Sequence, residues 1–226
     1  MFGEVTLNLL KGFGTTCEVF ALTLLFALPL GLIISFGSMS KFKPLKWLCK
    51  VFVWCIRGTP LMLQMIVVYY GPGLVGKWAQ GIEDTNFIIA WLASWTVFDR
   101  FVAVLVAFII NYACYFAEIF RGGIMSIDNG QFEAGRSLGF SYFQTMRYIV
   151  IPQTIKSTLP TLLNELIALF KETSIAGYVG ILDLTKAGER IRGITFEAFM
   201  PLIAVAIVYL VIVMVLTSLV GKLERR

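Results

Sequence analysis

Five apolar runs recur along the chain, at residues 16–38, within 47–71, and at 101–120, 159–181 and 197–220. Each meets the roughly 20 residues that a helix needs to cross a hydrocarbon core of ~30 Å. The predicted fold class is therefore all-α: a polytopic membrane protein with about five transmembrane helices, read as a single domain over residues 1–226. Composition agrees. The chain is 58% hydrophobic with a mean hydropathy of +0.82, whereas soluble domains run nearer 45–50% apolar. A sixth apolar stretch, residues 87–98, holds only twelve residues before Asp99 and Arg100. It is too short to span, so it reads as a re-entrant or interfacial piece before the third span. A continuous helix over 87–120 is the alternative.

Several function classes drop out. A net charge of +5 invites nucleic acid, but the basic residues cluster beside spans, and no basic patch with interleaved aromatics lies outside them. With no histidine and no Cys-x-x-Cys among Cys17, Cys49, Cys55 and Cys114, a metal site has no support. No nucleophile and base pair is visible, so no catalytic residue is assigned. The Gly-x-x-x-x-Gly-Lys-Ser/Thr loop that cradles nucleotide phosphates is also missing, so any ATP-driven motor must be another chain. The N-terminal apolar run reads as a retained span rather than a cleavable signal.

Lys and Arg set the orientation. Lys41, Lys43, Lys46, Lys50 and Arg57 lie around the first connection with no acid among them. Arg121, Arg136, Arg147 and Lys156 follow the third span, and Lys222, Arg225 and Arg226 close the chain. On the opposite side Lys11, Lys77, Arg100, Lys186, Arg190 and Arg192 are balanced by acids such as Glu83, Asp84, Asp183 and Glu189. The positive-inside bias predicts an N-terminus outside, a C-terminus in the cytoplasm, and residues 121–158 inside.

That inner loop carries paired helix signals. Asp128 or Asn129 can cap a helix through Leu138. Gly139 suits a left-handed stop. Ser141 with Gln144 makes a capping box for a second short helix, and Pro152 is expected to close the unit. Two short helices at an angle form a compact knob that can transmit a rigid-body motion. The alternative is an amphipathic helix pair lying on the headgroups.

The same loop resembles the EAA motif of ABC importer permeases: Glu-Ala-Ala, three residues, Gly, nine residues, Ile-x-Leu-Pro. Here Glu133, Ala134 and Gly135 are followed by Gly139 and by Ile149, Val150, Ile151 and Pro152 at the same spacing. The departures are Gly135 for the second Ala and Ile151 for Leu. Further matches follow in order. Arg57-Gly58-Thr59-Pro60, the stretch Ala117–Ile124, and Asn164-Glu165 with Lys171-Glu172-Thr173-Ser174 resemble segments of the polar amino-acid branch. The resemblance implies a permease subunit with no cofactor of its own. It implies partner ATPase subunits that bind ATP and Mg and dock on the loop through Glu133, Ala134, Gly135, Gly139, Ser141, Ile149 and Pro152. It also implies a second permease subunit, identical or homologous, an extracytoplasmic substrate-binding protein, and an amino acid as cargo. A permease for another small solute (opine, methionine, cystine) is the near alternative; a motor-independent transporter or channel is the distant one.

Charges inside the spans are costly, ~2.5–3.5 kcal/mol each at the bilayer centre, and so avoid lipid. In the fourth span Thr161, Asn164, Glu165, Lys171 and Glu172 fall within an arc of ~120° at helical spacing. This stripe reads either as the lining of a substrate path or as Glu–Lys pairing that fixes packing. Asn111 and Gln64 can add polar contacts to the path or hydrogen-bond helix to helix. Arg57-Gly58-Thr59-Pro60 predicts a break or hinge in which Thr59 caps and Pro60 starts a helix. Arg57 is expected to snorkel or to pair with Glu118, and Glu118 can pair with Arg121, three residues on, as an inner clamp.

Overall fold

The computed structural model describes residues 2–82 and 86–224, with side chains described from residue 6 to residue 222. Glu83, Asp84, Arg225 and Arg226, used above for orientation, lie outside the described residues. Every regular element among the described residues is helical: α1 (Phe2–Met39), α2 (Lys43–Arg57), α3 (Leu61–Gln80), α4 (Phe87–Ala93), α5 (Arg100–Met125), α6 (Asn129–Ser137), α7 (Tyr142–Thr145), α8 (Ile151–Glu172), α9 (Leu184–Thr195) and α10 (Met200–Glu224). A π-helical turn, Met146–Val150, joins α7 to α8, and a 3-10 segment, Thr173–Val179, follows α8.

Three helices are long and apolar enough to cross a membrane: Thr6–Met39, Arg100–Met125 and Met200–Lys222. The expected second span is instead a broken pair. α2 and α3 bend by 104° at residues 58–60, so one straight helix over 47–71 does not form. Pro60 lacks the N–H that would continue the ladder. α8 falls short of the same apolar test because Asn164, Glu165 and its many hydroxyls dilute the run expected over 159–181.

The chain divides into two compact units, each assembled from separate stretches. The first comprises Met1–Leu24, Gly58–Asn111 and Phe170–Tyr209. Its core includes Val19, Met65, Val104, Phe108 and Leu184, all at most 1% exposed. α1 begins well before the run read from residue 16, because Gly12 seats the helix against the backbone of Asp183 and the side chain of Ala187. Thr16 then accepts a hydrogen bond from the Leu184 N–H at 3.1 Å. Phe170 packs edge-on against Phe20 (5.4 Å) and Tyr209 (5.8 Å).

Residues 87–98 belong to this first unit and do not extend α5. α4 stops after seven residues, and the chain folds back on α3. Gln80 donates to the Ala93 carbonyl at 2.8 Å. Gly73 and Gly76 leave room for Val97 and the Trp95 carbonyl, where a Cβ would collide. Asp99 then caps α5, accepting from the N–H groups of Phe101 (2.9 Å) and Val102 (3.1 Å). The continuous helix over 87–120 does not form: α4 and α5 are separate helices, and Asp99 gives α5 its own start signal.

The second unit comprises Leu25–Arg57, Tyr112–Leu169 and Leu210–Arg226. Val53, Cys114 and Ala117 form a buried cluster that Ile34 and Ile56 flank. Small residues set the close approaches, as expected where lipid supplies no hydrophobic drive between helices. Gly31 lies against the Ala113 carbonyl and Phe116, and Gly123 against Thr154 and Thr158. α5 is the most enclosed of the apolar helices, with 56% of its apolar window buried, whereas α10 buries 6% and presents Leu210, Val211, Met214 and Leu219 outward.

Candidate functional site

The loop after α5 builds a compact knob within the second unit. Asp128 caps α6, accepting from the Gly130 N–H at 2.6 Å. Gly139, at φ +76°, ends it in the left-handed region that glycine enters without a Cβ penalty. The Phe140 N–H reaches the Gly135 carbonyl at 2.9 Å, closing the turn. The Ser141–Gln144 capping box is complete: Gln144 N–H donates to Ser141 Oγ at 3.3 Å, and Ser141 N–H donates to Gln144 Oε1 at 2.8 Å.

Gly135 is buried where α6 meets α7. A Cβ there would stand 2.6 Å from Thr145 Oγ1 and 2.9 Å from its Cγ2. Phe132 and Tyr142 stack beside this contact at 6.4 Å, and Gln153 donates to Gln131 at 3.2 Å. The outer surface of the knob exposes Glu133 and Ala134 together with Leu138, Tyr142 and Phe143, each of the last three 71% exposed. Ile149 is half-buried.

Pro152 does not close the knob. α7 runs through the π turn into α8, and Pro152 occupies the second position of α8. Proline cannot donate to the carbonyl four residues back. The wider π turn, in which the Ile151 N–H reaches the Met146 carbonyl, takes up that mismatch without ending the helix. The knob therefore continues without a break into a long helix on its C-terminal side.

Above the knob, Arg121 grips Glu118 with two parallel bonds, Nε to Oε1 at 3.0 Å and Nη2 to Oε2 at 2.6 Å. Of the two expectations for Arg57, snorkelling or pairing with Glu118, a direct ion pair with Glu118 does not form. Its guanidinium lies over the Tyr115 ring at 4.9 Å, with Glu118 in electrostatic reach of both Arg57 and Lys50. The flat cation gains from the ring face what a more distant carboxylate offers less well. Glu118 and Thr161 share a cavity of about 320 Å³ with Gly122, Gly123, Ser126, Ser157 and Thr158. The hydroxyls at 126, 157 and 158 were not singled out in the sequence, since Ser and Thr at helical spacing are common in spans. Each in fact donates to a backbone carbonyl three or four residues before it.

In the first unit Gln64 and Asn111 meet. Asn111 Nδ2 donates to Gln64 Oε1 at 3.1 Å, and Gln64 Nε2 donates to the Thr59 carbonyl at 3.0 Å and hydroxyl at 2.7 Å. Thr59 thus holds Gln64, and Pro60 takes the N-cap position of α3. Along α8, Thr161, Asn164, Lys171 and Glu172 are exposed and Glu165 is half-buried, whereas Leu163, Leu169 and Phe170 on the other face are buried. Asp183, a residue used above only for charge balance, is fully buried at the start of α9. Its Oδ1 accepts from the Lys186 N–H at 2.8 Å, and its Oδ2 has no hydrogen-bond partner among the described residues. Burial pushes its carboxyl up to about 6, against the lowering effect of the Lys186 hydrogen bond.

Long apolar helices, a compact knob between α5 and α8 and polar groups within the helices define a helical membrane protein. Residues 27–226 match the family described as binding-protein-dependent transport system inner membrane component, and the chain belongs to that family. Relatives include the arginine transport system permease protein ArtQ of Bacillus subtilis, 34% identical over 96% of this chain and 91% of that protein. The glutamine transport system permease protein GlnP of Escherichia coli is 33% identical over 96% of this chain and 92% of its own length. A crystal structure of an amino acid ABC transporter with histidines aligns at TM-score 0.85 and 34% identity, covering 100% of this chain and 96% of that one. An inward-facing structure of the MetNI methionine ABC transporter shares the fold, at TM-score 0.72 and 17% identity over 100% of this chain and 98% of that one. The protein is thus a membrane-embedded ABC permease subunit, not an enzyme, and ATP hydrolysis in this family is carried by separate ATPase subunits.

Proposed function

We propose that the chain is one transmembrane domain, residues 1–226, of an ATP-driven amino-acid importer. Two such subunits, identical or homologous, enclose one path, and an extracytoplasmic binding protein delivers the cargo. The names of its relatives support an amino acid as cargo, and the positive-inside bias supports an N-terminus outside and a C-terminus inside.

The observation that carries the coupling role is the knob itself. Its helices are locked at Gly135–Thr145, it exposes Glu133 and an aromatic surface, and it continues into α8 without a flexible joint. ATPase subunits dock on Glu133, Ala134 and the exposed aromatics. Gly135, Gly139, Ser141, Ile149 and Pro152 keep that surface in shape. ATP binding on the partner closes the motor dimer, moves the knob, and the movement passes to α8 as a rigid body.

The exposed stripe of α8 lines the path: Glu165 and Glu172 meet an ammonium group, and Lys171, Asn164 and Thr161 meet a carboxylate or carbonyl. Gln64 and Asn111 supply further polar contacts. The Glu118–Arg121 pair and the Arg57-Gly58-Thr59-Pro60 break act as inner clamp and hinge. The test is co-purification with the ATPase chains, then ATPase activity in liposomes with binding protein and single amino acids. Stimulation by one amino acid supports the reading. Solute flux with no ATPase retained overturns it.

A further inference from the structure

α2 is fifteen residues long, about 22 Å at 1.5 Å per residue, too short on its own for a hydrocarbon core of ~30 Å, and it is bent by 104° from α3, with which it makes either a broken span or a re-entrant loop. Its surface is sorted into three sectors. Val53 and Ile56 face the cluster of Ile34, Cys114 and Ala117, and Cys49 lies against Gly37. Next to that buried edge, Lys43, Lys46 and Lys50 fall within an arc of ~60° at 100° per residue. The remaining surface is apolar and exposed, led by Trp47 at 68%, Trp54 at 75% and Leu48 at 60%. Trp47 and Trp54 stand at the border between the lysines and the apolar sector. No acidic residue lies between Gly37 and Arg57.

We propose that α2 lies in the plane of the cytoplasmic leaflet and that Lys43, Lys46 and Lys50 form a binding row for anionic phospholipid headgroups. A helix with one protein-facing edge, one cationic edge and a broad apolar sector is well accommodated at the headgroup boundary. There the apolar sector enters the acyl region, the lysines reach the phosphates, and the tryptophan rings sit at the interface. Charge complementarity identifies the occupant: the row is purely cationic, and the anionic leaflet surface supplies its counter-charge. Arg57, engaged with Tyr115 at the end of the same helix, would be held in place by this anchorage. The assignment to the cytoplasmic side rests on the orientation proposed above; the lipid row itself does not.

The test uses the complete transporter in nanodiscs of phosphatidylcholine, with and without phosphatidylglycerol. Spin labels are placed singly at Leu45, Leu48 and Phe52. Equal depths near the headgroups, together with retention of phosphatidylglycerol over phosphatidylcholine in native mass spectrometry, are the expected result. Lys43→Gln with Lys46→Gln should lower that preference by about fivefold per lysine, and Lys43→Arg with Lys46→Arg should keep it. Depths that increase steadily from 45 to 52 would show a crossing helix and overturn the proposal. Labels shielded from lipid would show another subunit on this face and overturn it too. In intact cells, an impermeant reagent reaching Lys43 from outside, with the lipid preference in nanodiscs intact, would overturn the orientation alone.

Discussion

Gly135 and Thr145 touch so closely that no side chain fits between them: a Cβ at 135 would lie 2.6 Å from the Thr145 hydroxyl oxygen. The related motif carries alanine at this position, so in this chain the two short helices sit nearer than an alanine allows. Gly135→Ala should force them apart, at a cost of about 1–3 kcal/mol for overpacking. ATPase retention and coupled uptake should fall together. Gly135→Ala with Thr145→Ala, which removes both clashing atoms, should restore them. Full retention in the single variant would show that the tight contact has no bearing on docking.

Glu133 is exposed on the knob and makes no tight internal packing that its loss would disturb. Glu133→Arg should abolish most ATPase co-purification while membrane insertion stays normal. Wild-type uptake in this variant would remove Glu133 from the docking surface.

The Glu118–Arg121 pair is only about one-quarter exposed on each side. Glu118→Gln would leave a half-buried guanidinium without its counter-charge, costing about 1–3 kcal/mol. The midpoint of thermal unfolding in detergent should drop by a few degrees. Uptake should fall further than stability if the pair is a clamp. Glu118→Arg with Arg121→Glu should recover part of both.

Asp183 makes stability depend on pH in the less common direction for a carboxylate. Its folded value is raised to about 6 from 3.8, so the folded protein holds the proton more tightly than the unfolded chain. The favourable contribution is complete below the unfolded value and is lost as pH rises through about 6. The span is up to about 3 kcal/mol. Thermal midpoints should therefore rise between pH 7.5 and pH 5, other carboxylates aside. Asp183→Asn keeps an N-cap acceptor and should flatten that part of the profile. An unchanged profile in Asp183→Asn would remove this residue as its source.

Glu165→Ala and Glu172→Ala should alter substrate affinity or selectivity, read as a shift of the substrate concentration that half-stimulates ATPase. Glu172 lies at the exposed end of α8. Unchanged selectivity with lowered stability would support the packing role instead.

What the sequence determined by itself was whatever depends on neighbours along the chain. Long apolar runs require helices in lipid. The stop at Gly139, the cap at Asp128 and the Ser141–Gln144 box act within a single turn, and all three stand in the structure where spacing put them. The Glu118–Arg121 pair is equally local. Tertiary structure decided what depends on groups far apart in the chain. Glycines at 73 and 76 admit the backbone near Trp95, so residues 87–98 fold back on α3 rather than extend α5. Tyr115 competes with Glu118 for Arg57 and holds it. A π turn absorbs Pro152, so the knob flows into α8 where the proline alone suggested a stop. Asp183 gained its raised pKa from burial beneath α1 and α9. Caps and runs are settled by the free energy of one turn or one helix in lipid. Close approaches and buried charges exist only once distant segments have packed.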